Sequence, residues 1–206
     1  MAVPDSLPQR IFLLAHDPDK GRVRLGTNLG AMLRAAALAD LYLSGHLTDE
    51  NGRVAVRARE PRHDPVLDAF LDEIAGGRRR KWHSWIGRRH RATVRAVRRQ
   101  LGDGGWVRLQ PRKVLGLFPV TTVTIRDPRV RKDLLGRVNA ALHKPVDRVA
   151  DADAALVAIV AVGNLRLVLD RRTKRANKRR IRELTQLSGP IGSALRRSIE
   201  DAAAAA

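Results

Sequence analysis

The chain has 206 residues, with 40 Lys plus Arg against 21 Asp plus Glu and a formal charge of +19. That length fits one domain, the 44% apolar content suffices for a sizeable core, and the absence of cysteine excludes disulfides and thiolate metal sites. The charge predicts attraction to a polyanion, either nucleic acid or an anionic membrane face. The competing explanation is that Arg is simply a frequent surface residue in a high-GC bacterial genome. The start MAVPDSLPQR lacks the apolar core of a signal peptide, so a cytoplasmic protein is expected. The six histidines are scattered and show no paired metal-ligand spacing.

Residues 9–15, QRIFLLA, form an apolar run opened by a charge, either a first helix or a strand packed on the core. His16-Asp17-Pro18-Asp19-Lys20-Gly21 is a turn by composition, and Arg22-Val23-Arg24-Leu25 alternates like a short strand. The stretch from Thr27 to Leu47 is apolar nearly all round, as a helix in the middle of a protein should be. Its Ala and Leu residues favour the helix locally. Thr27 or Asn28 can cap its start, and Gly45 can take the left-handed turn at its end. At about 17 residues, with Arg34 and Asp40 inside it, the segment is marginal for a membrane span, and a central charge is costly in lipid. It reads instead as the buried central helix of a soluble protein. A guanidinium is almost never buried unpaired, so Arg34 either emerges near the helix start or meets an anion.

Asn51-Gly52 between two alternating runs signals a hairpin. Val66, Leu67, Phe70, Leu71 and Ile74 recur at helical spacing, and Gly76-Gly77 ends that helix. A second helix is expected from about Lys81 to Leu101, with Trp82, Trp85, Ile86, Val94, Val97 and Leu101 mixed among seven basic residues. Gly102-Asp103-Gly104-Gly105 stops it. Trp106–Leu109 and Thr121–Ile125 read as strands. A further helix begins at Asp127-Pro128 and is broken by Pro145, and Asp151 to Val162 is a short buried helix closed by Gly163-Asn164. The segment Arg171 to Arg182 packs eight positive charges into twelve positions, and a partial apolar stripe of Ile181, Leu184, Leu187, Ile191 and Leu195 continues it. The expected architecture is a mostly α-helical single globular domain over residues 1–206, built around the buried central helix with peripheral β-hairpins, residues 1–6 and 200–206 being flexible.

No catalytic set is apparent. GxSxG, GxxxxGK[ST] and HExxH are absent, so the chain is expected not to be an enzyme. The basic positions say more. Arg91 and Arg95 sit four apart and share a helix face, and Arg88, three before Arg91, extends it. With Arg34 they could form a compact pocket for one phosphate-bearing head group, since the guanidinium fork donates two hydrogen bonds to phosphate oxygens. The alternative is an ordinary solvated helix face. The Arg171–Arg182 cluster reads as a diffuse electrostatic surface, or as a helix lying on the phosphates of duplex nucleic acid. Aromatic residues for single-strand stacking are scarce. Leu115, Leu117 and Phe118 beside Arg112 and Lys113 suit a tip that inserts among lipid head groups while the cations hold the surface. A hairpin buried in the core or in an oligomer contact would read the same way.

The order of these segments resembles the Golgi phosphoprotein 3 family over roughly Leu7 to Leu187. The likeness rests on Arg10-Ile11-Phe12-Leu13-Leu14-Ala15 and the turn after it, and on Leu33-Arg34-Ala35-Ala36-Ala37-Leu38-Ala39-Asp40-Leu41 with Gly45-His46-Leu47. Further blocks are Trp85-Ile86, the Arg-rich stretch ending Leu101-Gly102-Asp103-Gly104-Gly105-Trp106-Val107, and the passage through Phe118-Pro119 into Asp127-Pro128. The resemblance implies a mostly α-helical fold with β-hairpins at its periphery. It also implies binding of phosphatidylinositol 4-phosphate on the cytoplasmic face of an anionic membrane. It places the helix Arg of the family's head-group site on Arg34 and the first of two later Args on Arg91. The second aligns near Val94, next to Arg95, and the family's aromatic position falls at Leu25–Gly26, which carries no aromatic ring. The family's projecting hairpin, used for membrane contact and self-association, corresponds to residues 113–122.

Overall fold

The computed structural model describes residues 3–17, 20, 22–23, 28–114 and 118–205, with the backbone alone for residues 22, 111–114 and 118–120. The first apolar run resolves as a helix, α1 (Leu7–Leu14), followed by a two-stranded antiparallel ribbon of β1 (His16–Asp17) and β2 (Arg22–Val23). Helix α2 (Leu29–Leu43) is buried at every position from Leu29 to Leu41. It is followed by Gly45 in the left-handed conformation, as its sequence predicts. Asn28 precedes α2 without a side-chain cap bond, and Thr27 lies outside the described residues.

Next comes a hairpin of β3 (Leu47–Glu50) and β4 (Arg53–Val56). Its turn residues Asn51 and Gly52 both have positive φ, the geometry that the Asn-Gly pair favours. Asp64 accepts from the backbone N–H groups of Val66 and Leu67 and opens α3 (Pro65–Ala75).

The continuous helix expected from Lys81 to Leu101 is two helices, α4 (Trp82–Ile86) and α5 (His90–Asp103). The break has a local cause. Gly87 ends α4, and Arg89 takes a left-handed conformation (φ 47°) that turns the chain before α5 begins. Side chains take the carbonyls that a continuing helix would have used: Arg34 Nε, from α2, donates to Trp85 O at 2.7 Å, and the ring nitrogen Nε2 of His90, the first residue of α5, bonds Ile86 O at 2.8 Å.

Strands β5 (Val107–Val114) and β6 (Phe118–Ile125) pair from Val107↔Ile125 to Val114↔Phe118 and run longer than the sequence pattern suggests. Helix α6 (Pro128–His143), opened by Asp127, a short 3-10 turn (Val146–Arg148), and α7 (Asp151–Val162) follow. Asn164, φ 57°, makes the turn after α7. The basic cluster divides at Asn177 into α8 (Arg171–Ala176) and α9 (Lys178–Leu187), and Gly189 (φ 61°) with Pro190 separates α9 from α10 (Ile191–Ala204). Leu187, assigned to the apolar stripe by its spacing, is 43% exposed because the stripe changes helix there. Val3 and Ser6 are buried against the body, and α10 reaches Ala204.

Helices α1, α3, α4, α5, α7 and α10 all pack on α2. The surrounding core includes Phe12, Leu38, Trp85, Leu134, Leu156 and Leu195. The fold is therefore mostly helical around a buried central helix, with three two-stranded antiparallel ribbons at its edge among the described residues. Two close contacts fix the packing of α2. A Cβ on Gly30 would come within 2.4 Å of His90 Cβ, so the start of α2 touches the start of α5 backbone to backbone. Asp40, near the other end, accepts the Leu7 N–H at 2.8 Å and so caps α1 from a different helix. No described helix is long and apolar enough to cross a membrane.

Candidate anion-binding site

The buried Arg34 meets an anion. Its side chain is 2% exposed and faces α3, where the Glu73 carboxylate receives both terminal nitrogens at 3.3–3.4 Å. Nη1 also donates to Thr93 Oγ1 at 3.4 Å, and the guanidinium carbon Cζ lies over the Phe70 ring, 4.2 Å from its centre. Burial pushes the Arg34 guanidinium below its ordinary value, Glu73 raises it again, and Arg88 and Arg89 act in the same direction as burial. The Arg34 guanidinium is held by four kinds of contact: a helix-end carbonyl, a carboxylate, a hydroxyl and a ring face.

Glu73 is shared. The Arg88 and Arg89 guanidinium groups approach it from the solvent side, at 4.0 and 3.8 Å. Both sit in the corner between α4 and α5, and both are exposed. Three guanidinium groups around one carboxylate leave a formal +2 at this corner. The corner is also the N-terminus of α5, where Arg89 provides no side-chain cap and the first backbone N–H groups add their own positive potential. Thr93 Oγ1 donates to Arg89 O at 3.2 Å, which ties the corner to the residue that touches Arg34.

The four arginines of the sequence reading do not converge as one compact pocket. Arg34 and Arg88 do, through Glu73. Arg91 and Arg95 are exposed, each two positions from Thr93 and hence about 200° around α5 from the side that meets Arg34. Arg91 remains next to the corner because it lies in the first turn of α5, whereas Arg95 is one turn further on. Arg88 belongs to the corner and not to the helix face shared by Arg91 and Arg95. Glu73, Arg89 and Thr93 were not singled out from sequence. A signal for Glu73 existed: it lies three residues after the buried Phe70, at the edge of the apolar face of α3, where an acid can reach a cation in the core.

Of the expected membrane-contacting residues, Arg112, Lys113 and Phe118 fall in the outer parts of β5 and β6, and Leu115 and Leu117 lie outside the described residues. The Arg171–Arg182 cluster faces several ways. Arg180 turns inward to Ala141 O and Lys144 O at the end of α6, Arg179 pairs with Glu183 at 3.1 Å, and Arg171, Arg172 and Arg175 are exposed.

A helical domain with a carboxylate-centred cationic corner on its surface is thus the class of protein that the fold and the site define. Residues 7–202 match the family model described as Golgi phosphoprotein 3 (GPP34), nearly the whole chain, and the protein belongs to that family. No curated protein matches it.

Proposed function

We propose that the protein is a non-enzymatic peripheral membrane protein that binds anionic lipid head groups, phosphoinositide-like ones such as phosphatidylinositol 4-phosphate among them, on the cytoplasmic membrane face. The observation that carries this reading is the convergence of Arg34, Arg88 and Arg89 on the single carboxylate of Glu73 at the N-terminus of α5, in a chain of this family. A phosphate over that corner takes Arg88, Arg89 and Arg91 as direct partners and the free N–H groups of α5 beneath them. Arg34 works from below: it fixes Glu73 and joins α2, α3, α4 and α5 so that the corner is rigid before ligand arrives. Arg95 adds longer-range attraction. Arg112, Lys113, Leu115, Leu117 and Phe118 of the β5–β6 hairpin supply the second weak membrane contact that stable attachment needs, and residues 113–122 offer a surface for self-association.

Co-sedimentation with vesicles at physiological salt tests the reading. It compares neutral lipid, bulk anionic lipid and phosphatidylinositol 4-phosphate at matched charge, with duplex DNA as competitor. The expected result is binding to anionic vesicles that DNA displaces poorly, strongest with the phosphoinositide. Equal binding to every anion, with DNA displacing the protein, would overturn it and make the +19 a diffuse charge for nucleic acid.

A further inference from the structure

A second basic site lies away from the α4–α5 corner. Helices α7, α8, α9 and α10 enclose a half-open cleft of about 530 Å³, within the range of pockets that hold small organic ligands. Ala161, Val162 and Ile181 supply apolar lining, and four cations stand around it: Lys174, Lys178, Arg182 and Arg196. Among the described residues, no carboxylate lines the cleft. Of the acids on or next to these helices, Glu183 pairs with Arg179 and Arg180, Asp201 with Arg197 and Asp153 with Arg137, Asp170 accepts the Thr173 N–H, and Asp151 and Glu200 stand outside the lining. Lys174 is the innermost cation. It is half-buried and donates to Ala161 O at 2.6 Å on the last turn of α7. Burial lowers its ammonium below the ordinary value, with Arg196 and Arg166 pushing the same way, and no acid offsets them.

Cations gathered at a concave apolar surface without a counter-charge fit an amphiphilic anion. The two arginines match the forked geometry of phosphate oxygens, and four positive charges suit a dianion better than a single carboxylate. We infer that this cleft binds a phosphate monoester carrying an apolar group, with the phosphate among Lys174, Lys178, Arg182 and Arg196 and the apolar part on Ala161 and Ile181. The site is separate from the corner at Glu73, so it stands or falls independently of the lipid-binding function proposed above.

Calorimetric titration of the full chain with inorganic phosphate, phenyl phosphate and short-chain dihexanoyl phosphatidate tests the assignment. The two esters are expected to bind about tenfold or more tightly than inorganic phosphate. Tighter binding of phenyl phosphate identifies a soluble metabolite as the source, and tighter binding of the phosphatidate identifies a lipid. Arg182→Gln with Arg196→Gln should weaken ester binding about tenfold. Arg171→Gln with Arg172→Gln, removing the same charge from exposed positions outside the cleft, should leave it near wild type. Ser193→Trp fills the cleft without changing any charge and should abolish the cleft's share of ester binding, the part that Arg182→Gln with Arg196→Gln weakens, while the helical circular dichroism is retained. Inorganic phosphate binding as tightly as the esters, equal losses in the two double variants, or undiminished binding by folded Ser193→Trp would each overturn the assignment.

Discussion

Replacing Glu73 by Gln separates the two roles given to the corner. The change keeps the side chain's shape and one acceptor oxygen but removes the charge that two nitrogens of Arg34 face at 3.3–3.4 Å. Removing one partner of a buried ion pair costs about 3–5 kcal/mol because the other charge stays buried and unpaired. Arg34 is 2% exposed but Glu73 is 16% exposed, and the amide still accepts one N–H, so the lower end, about 3 kcal/mol, applies here. For a chain of this size that corresponds to a fall in melting temperature of about 6–12 °C. The same substitution raises the formal charge of the corner from +2 to +3, so folded Glu73→Gln should bind anionic vesicles more tightly than wild type below its melting temperature. Thermal unfolding followed by circular dichroism gives the first quantity and vesicle co-sedimentation the second. An unchanged melting temperature would show that Glu73 does not hold Arg34. Weaker vesicle binding by the folded variant would refute the charge argument.

Three further outcomes follow from single contacts. Arg89→Gly relieves a left-handed backbone that costs a side-chain-bearing residue about 1–2 kcal/mol, so stability should hold or rise slightly while vesicle binding falls with the lost cation; thermal melts and co-sedimentation read both. Gly30→Ala forces a Cβ to within 2.4 Å of His90 Cβ, and such overpacking should cost about 1–3 kcal/mol in denaturant melts and weaken vesicle binding by displacing the start of α5. The third outcome concerns pH. Burial raises the Asp40 carboxyl above its ordinary value of 3.8, against the opposing effects of the Leu7 N–H and Arg62. The folded state therefore holds the proton more tightly than the unfolded chain. Wild type should lose stability relative to Asp40→Asn as pH rises from about 4 through the raised value, and the difference should level off once both states are ionised. Urea melts of the pair across the acid range would contradict this if wild type gained on the variant as pH rose.

The central helix was legible because Leu29–Leu41 is apolar on all sides, a pattern that burial alone explains. The β3–β4 hairpin was legible because Asn51-Gly52 encodes its turn in two adjacent residues, and α3 and α6 because Asp64-Pro65 and Asp127-Pro128 mark their starts. The break between α4 and α5 was not. Trp82, Trp85 and Ile86 keep helical phase with Val94, Val97 and Leu101 across residues 87–93, and Arg34, which takes the Trp85 carbonyl, comes from elsewhere in the chain. The position of Arg88 hangs on that break: on a continuous helix it shares a face with Arg91, but on a corner it reaches Glu73. That Arg34 needed an anion followed from burial, whereas which acid supplied it depended on how α2 and α3 pack. The cleft between α7 and α10 was hidden for a similar reason: Lys174, Lys178 and Arg182 read as part of one solvated run, and Arg196 and the apolar lining of α7 join them only through the packing of α7 and α10 on α9.

The most direct measurement compares two variants that lose equal charge. Arg88→Ala with Arg91→Ala removes two cations from the corner, and Arg171→Ala with Arg172→Ala removes two from exposed positions on α8. At about 1 kcal/mol for each cation near an anionic surface, the corner variant should lose about thirtyfold in vesicle affinity at physiological salt. The α8 variant should stay within about threefold of wild type. Equal losses in the two variants would contradict the account, because the membrane would then be reading the total charge and not the corner.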